Sequence, residues 1–171
     1  MRMRLWTIQD GRAHQRLLDK GVLYGDWRRV EAQCFKPAYK WLCAQMEQRG
    51  IALNGRPPIW SWTHKPDMRW AMHRHRGEHG VVVLELEIPD GLVLVSNFDA
   101  WHCVLNDHFM ALTDDEVEQM FDYPRAEVVE SWRRVFDNDL CVKYEHHKSC
   151  QATFPAIELD YIVKSKEFGP R

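Results

Sequence analysis

From Val81 to Ile88 the chain reads Val-Val-Val-Leu-Glu-Leu-Glu-Ile, and no other run constrains the fold as strongly. Period two places Val82, Leu84, Leu86 and Ile88 on one face of a strand, with Glu85 and Glu87 on the other. That is the pattern of an antiparallel strand with one face on a core and the other in water. Pro89-Asp90-Gly91 follows, then the apolar run of Leu92–Ser96, so the sequence predicts a hairpin over Val81–Ser96. Glu85 and Glu87 are also paired carboxylates suited to acid–base work, although a wetted strand face shows the same alternation for solubility alone.

The other elements are read around this one. Met3–Ile8 predicts a strand with Leu5, Trp6 and Ile8 as its apolar members. Asp10 is placed to cap a helix that buries Leu17 and Leu18 and ends at Gly21. Val22–Gln33 shows no period and reads as loop. A second helix starts near Pro37, carries Phe35, Tyr39, Leu42 and Met46 at helical spacing, and stops at Gly50. The Asn54–Pro58 turn cluster leads into an alternating aromatic strand, Ile59–Thr63. Phe98, Trp101, Val104, Leu105 and Phe109 predict one buried helical face, and Thr113–Glu116 is a capping box. Pro124 opens a helix with the stripe Val128, Val129, Trp132, Val135 and Phe136. Ser149–Phe154 and Tyr161–Val163 read as closing strands. The expected packing joins the helix of Trp41, the Val82–Ser96 hairpin and the helix of Trp132. Its buried residues would be Val82, Leu84, Leu86, Leu105, Val128 and Trp132. With no repeat or linker, residues 1–171 read as a single α+β domain with a mixed, mostly antiparallel sheet and flanking helices.

Composition narrows the function classes. Apolar runs such as Val81–Leu84 fall far short of the ~20 residues that a membrane-spanning helix needs. The opening Met-Arg-Met-Arg-Leu-Trp lacks the apolar core of a secretion signal, which points to a cytoplasmic chain. Five cysteines without a C-x-x-C pair argue against a disulfide framework or a zinc ribbon. A formal charge of −2 excludes a generally basic nucleic-acid coat but permits a local patch. Eight tryptophans are the compositional outlier, and they supply aromatic surface for stacking.

Candidate chemistry clusters in a few places. His73, His75 and His79 have ligand-like spacing, but Arg74 and Arg76 interleave with them and repel a cation, so no metal is expected. The same basic loop, with Arg69, Arg74 and Arg76 around Trp70, suits phosphates and stacked bases, which makes nucleic acid one candidate partner. Cys150 follows His146 and His147, yet nothing local fixes a thiolate–base pair there. The common glycine-rich phosphate cradles are absent.

Four motifs carry a family resemblance: Leu5-Trp6-Thr7-Ile8-Gln9, Ile59-Trp60-Ser61-Trp62, Leu84–Pro89 and Cys150-Gln151-Ala152-Thr153-Phe154. With Ser96–His102 between them, their order resembles the uncharacterised bacterial family catalogued as domain of unknown function 3841, over nearly the whole chain. Beneath it lies a weaker likeness to small ADP-ribosyltransferases. Its carriers are Thr7-Ile8-Gln9, the Gly21-Val22-Leu23 turn, Ser61-Trp62 and Gln151-Ala152-Thr153-Phe154 before Leu159-Asp160-Tyr161-Ile162.

That likeness implies an NAD cleft in which Thr7 and Gln9 lie near the ribose and Trp60 and Trp62 give aromatic faces. Gln151 would stand beside the catalytic position, making Gln9 and Gln151 the implied catalytic residues. The pattern departs where it matters most, because Thr153 occupies the place of the expected glutamate. Neutral side chains can bond a ribose but cannot offset the positive charge that develops at an oxocarbenium-like centre. Glu85, Glu87 or Glu145 would have to take that role. Three functions therefore stand as expectations. One is a transferase-like domain acting on NAD or a related nucleotide. Another is a non-catalytic module for a nucleotide or nucleic acid. The last is a tryptophan-rich protein-interaction or immunity-type domain.

Overall fold

The structure, a computed structural model, describes residues 1–30, 33–66, 79–137 and 150–169. β1 (Arg2–Asp10) runs straight into α1 (Gly11–Lys20). The Asp10 carboxylate caps that helix by accepting from the Ala13 N–H at 2.7 Å, and Gly21 closes it in the left-handed region at φ 76°. Ala13, His14 and Leu17 are buried, whereas Leu18, expected beside Leu17, is 49% exposed. Successive helical residues point about 100° apart, so both leucines cannot face one core.

The stretch expected as loop holds a short strand, β2 (Val22–Tyr24), and 3-10 turns at Trp27–Arg29 and Gln33–Phe35. β2 pairs with β7 (Ala156–Glu158), near the other end of the chain, and Leu23 meets Ile157 in register. α2 (Lys36–Gln48) starts with proline in its first turn, as read from the sequence. Ile51, Leu53 and the Asn54-Gly55 turn then lead to β3 (Ile59–Trp62). Asn54 and Gly55 both have positive φ, which that residue pair tolerates best.

β4 (Val81–Pro89) and β5 (Leu94–Asn97) form as expected, but they do not form a hairpin. Asp90–Leu92 is a 3-10 turn that carries the chain away. β4 is flanked by β1, from Arg2↔Pro89 to Asp10↔Val81, and by β8 (Ile162–Phe168). With both edges taken, β4 leaves β5 to pair with β6 (Cys150–Phe154) at the far side of the sheet. The six-stranded order is β5-β6-β3-β1-β4-β8, and every pair is antiparallel. The remaining helices are α3 (Phe98–Leu105), α4 (Asp114–Glu118) and α5 (Arg125–Ser131), the last continuing as a 3-10 turn through Phe136. Among the described residues no helix is long and apolar enough to cross a membrane.

Two cores sandwich the sheet. On one face Leu5, Ile59, Val82, Leu84, Leu86, Ile88, Ala152 and Phe154 pack under α1 and the β2–β7 ribbon. On the other, Leu94 and Trp60 pack with α2, α3 and the Trp132 segment. The single core expected from the sequence is therefore divided, with Val82, Leu84 and Leu86 on one side and Val128 and Trp132 on the other. Leu105 is only partly buried. The glutamates of β4 stay on the wetted part of the second face, where Arg4 pairs with Glu87 at 2.9 Å and Glu85 at 3.6 Å.

Candidate functional site

β1 and β3 are neighbours in the sheet, yet they meet in register at a single position, Trp6↔Trp62. Past that point β1 follows β4 as far as Asp10↔Val81, while β3 follows β6 to Ile59↔Phe154. The two strands splay, and a cleft of about 750 Å³ opens at the fork. That volume lies within the range of about 300–1,000 Å³ usual for small-molecule sites.

One side chain spans the fork. The Thr7 hydroxyl donates to the Trp60 carbonyl at 2.8 Å and accepts from the Gln9 side-chain amide at 2.9 Å. Because Thr7 has given its only proton to Trp60, Gln9 must present Nε2 to it, and the Gln9 carbonyl oxygen is turned elsewhere. Tyr39 and Trp60 also border the cleft, while their rings pack into the core on the α2 face of the sheet. The Trp60 indole N–H donates to the Tyr39 hydroxyl at 3.1 Å, and Tyr39 stands edge-on to Trp60 and to Trp101. The opposite lip is the segment from Tyr24 to Val30. Trp27 holds it in place by donating to the Gly55 carbonyl at 2.8 Å, and Gly25 lies so close to Pro57 that a Cβ there would sit 2.0 Å from the Pro57 oxygen.

The rim is cationic. Arg16 and Lys20 come from α1, Arg28 and Arg29 from the 3-10 turn, and Arg56 from the Asn-Gly turn, where it lies 4.4 Å over the Tyr24 ring. Arg28 is tied to Asp26 at 2.8 Å and Arg29 to Asp10 at 2.5 Å. Arg16, Lys20 and Arg56 form no ion pair among the described residues. Asp26 is the carboxylate among the described lining residues. Hydrogen bonds from the Arg28 side chain and backbone pull it down to about 2, so it is a structural anion and no base near neutral pH. Burial works to raise the Asp10 carboxyl, but the Ala13 N–H and Arg29 overcome it and hold it below its usual range.

A family model described as Domain of unknown function (DUF3841) matches residues 4–123. The chain belongs to the DUF3841 family. No curated protein and no solved structure matches it. Every described residue that lines the cleft lies inside the matched span of this DUF3841 chain, whereas β6, with Gln151, lies beyond it.

Of the residues singled out in the sequence, Thr7, Gln9 and Trp60 line the cleft. Trp62 and Gln151 do not line it. Opposed residues of an antiparallel pair share a face, so Glu85, Trp6, Trp62, Gln151 and Ser96 form one transverse row. Thr7, one residue along β1, points to the other face. Within that row Gln151 is 5% exposed and Ser96 3% exposed, and neither Gln151 Nε2 nor Ser96 Oγ has a hydrogen-bond partner among the described residues. The Trp6 indole N–H, also out of water, likewise has no partner among the described residues. Trp62 instead packs its ring on Phe98, with centroids 5.1 Å apart. Thr153, at the position of the glutamate expected from the transferase likeness, is buried and bonds the Leu94 carbonyl.

Other candidates leave the chemistry untouched. Glu85 and Glu87 belong to the Arg4 cluster, away from the cleft. Cys150 is disulfide-bonded and offers no thiolate; an odd cysteine count does not forbid one bridge. Arg69, Arg74, Arg76, Trp70, His73, His75 and Glu145 lie outside the described residues. Among those described, no group of three or more His, Cys, Asp or Glu could hold a metal ion. Sequence reasoning missed Arg16, Lys20, Tyr24, Trp27 and Arg56, because each comes from a different turn or helix end and no spacing links them.

Proposed function

We propose that this DUF3841 chain binds NAD or a related nucleotide in the cleft between β1 and β3, as a binding module without efficient transferase turnover. The carrying observation is the convergence, in one cavity of about 750 Å³, of Tyr24, Trp27, Tyr39 and Trp60, the oriented Gln9 amide and three cations that form no ion pair among the described residues. Aromatic surface suits a base or nicotinamide ring, with stacking worth ~1–3 kcal/mol. The Gln9 amide suits a ribose hydroxyl or a carboxamide, since it carries both donor and acceptor. Arg16, Lys20 and Arg56 suit phosphate oxygens. Transfer of ADP-ribose needs a carboxylate to oppose the charge developing on the ribose. The carboxylate in the described lining, Asp26, is already matched to Arg28, which is why binding is favoured over turnover.

Calorimetry with NAD and ADP-ribose tests the reading, on wild type and on Gln9→Ala and Arg16→Ala/Lys20→Ala proteins. Both ligands are expected to bind wild type, more weakly as salt is raised, with each variant losing about tenfold or more. A wild-type chain that binds neither ligand would remove the proposal.

A further inference from the structure

Leu112, Val117 and Phe121 are 46%, 53% and 81% exposed, an unusual grouping on a surface this acidic. Thr113 caps α4 by accepting from the Glu116 N–H at 3.2 Å, and the Glu116 carboxylate reaches back to the Leu112 N–H at 2.7 Å. Leu112 and Val117 thus hold the two positions, before the cap and in the first turn, whose apolar side chains meet across a helix start. Phe121 follows Val117 by four residues, through bonds from Gln119 to Asp115 and from Met120 to Val117 that prolong the turn. The three make an exposed apolar strip between Leu112 and Phe121, with the Phe121 ring edge-on to His108 at 6.2 Å.

The strip is fixed from beneath. Arg134 grips both Glu116 oxygens at 2.9 Å and the Met110 carbonyl at 2.7 Å, while Met120 packs on the core below. Around it stand Asp114, Asp115, Glu118 and Asp122, all exposed and without an ion pair among the described residues. The nearby cations are already matched, Arg125 with Asp107, Arg133 with Glu130 and Arg134 with Glu116. A rigid apolar strip ringed by unmatched negative charge is complementary to a helix with aliphatic residues on one face and lysine or arginine along its flanks. The same charge repels nucleic acid and anionic membranes.

We propose that the Leu112–Asp122 surface docks a basic amphipathic helix of a partner protein. This goes beyond the nucleotide cleft, whose lining residues all precede Ser61 in the chain. Fluorescence anisotropy on the full chain tests it, with a labelled leucine–lysine peptide of about 18 residues patterned as an amphipathic helix. A scrambled peptide of the same composition is the control. The patterned peptide is expected to bind at least about tenfold more tightly than the scrambled one. Val117→Ser with Phe121→Ser should lose that margin, and Asp114→Asn with Glu118→Gln should weaken binding and flatten its salt dependence. Val117 and Phe121 are more than half exposed, so these variants are expected to keep the wild-type circular dichroism. Equal binding of the two peptides, or unchanged affinity in both double variants, would overturn the proposal. So would a wild-type dimer in sedimentation that Phe121→Ser turns into a monomer, since the strip would then belong to a second copy.

Discussion

The Thr7 hydroxyl donates to the Trp60 carbonyl at 2.8 Å, a side-chain bond placed where the ladder between β1 and β3 has ended. Without it the fork that makes the cleft would carry an unpaired strand carbonyl on one side and an unanchored Gln9 on the other. Threonine is suited to the place because one hydroxyl can donate to Trp60 and accept from Gln9 at once.

Thr7→Val tests this bridge, since it keeps the shape and removes the hydroxyl. Thr7 is 2% exposed, so the change leaves buried polar groups without partners and is expected to cost about 1–3 kcal/mol. Urea denaturation gives the stability, and NAD calorimetry on the folded variant should show affinity falling as Gln9 loses its anchor. Unchanged stability and unchanged affinity together would deny the bridge its role.

Gly25→Ala addresses the opposite lip. The added methyl would stand 2.0 Å from the Pro57 oxygen, and backbone on both sides must separate. Over-packing of this kind costs about 1–3 kcal/mol, and the strain falls on the segment that Trp27 ties to Gly55. The expected result is a lower urea midpoint with nucleotide affinity reduced. Wild-type values for both would mean that Gly25 and Pro57 move apart freely.

Much of this fold is local enough to read from residue order. Asp10 and Gly21 bracket α1, Pro37 and Gly50 bracket α2, and the alternation of β4 shows its two faces. Strand partners are another matter. Pro89-Asp90-Gly91 is turn chemistry whichever strand comes next, and only the sheet order shows that β4 already has both edges filled. β2 and β7 are three residues each, too short to show a period before they find one another. The site was half legible for the same reason. Alternation correctly puts Trp60 and Trp62 on one face, but the register Trp6↔Trp62 decides that Thr7 faces away from them. A shift of one residue exchanges the faces, and register has no signature in the sequence.

The core on the α2 side can be probed at Trp132. Its ring stands edge-on to Trp41 at 5.5 Å, its indole N–H bonds the His108 carbonyl at 2.8 Å, and it is 3% exposed. Trp132→Ala is expected to cost ~3–5 kcal/mol by urea denaturation, combining lost burial with a cavity. A cost below about 1 kcal/mol would show that the neighbouring rings close the gap.

Gln151 separates the cleft from the row on the other face. Its side-chain Nε2 is buried with no partner among the described residues, so Gln151→Leu removes an unmet donor rather than a bond. The urea midpoint is expected to stay or rise, because an apolar group of similar size avoids the desolvation penalty of about 1–3 kcal/mol. NAD affinity is expected to stay within about twofold of wild type, since Gln151 does not line the cleft. A clear loss of affinity would place the nucleotide on the Trp62 side of the sheet.

Acid titration examines the Asp26–Arg28 pair at the rim. Hydrogen bonds from Arg28 bring the Asp26 carboxyl down to about 2 from its ordinary 3.8. A carboxyl depressed on folding adds stability that is complete above the unfolded value and disappears as pH falls through the folded one. The window therefore runs from about pH 4 down to about pH 2, where Asp26 protonates and releases Arg28 together with the 3-10 turn that Asp26 caps. Asp26→Ala should be less stable than wild type at pH 6, and the difference should shrink to nothing across that window. Carboxyl NMR should give an Asp26 midpoint close to 2 in the folded chain. A midpoint at the ordinary value, or a stability difference that persists at the acid end, would show that the pair does not form in solution.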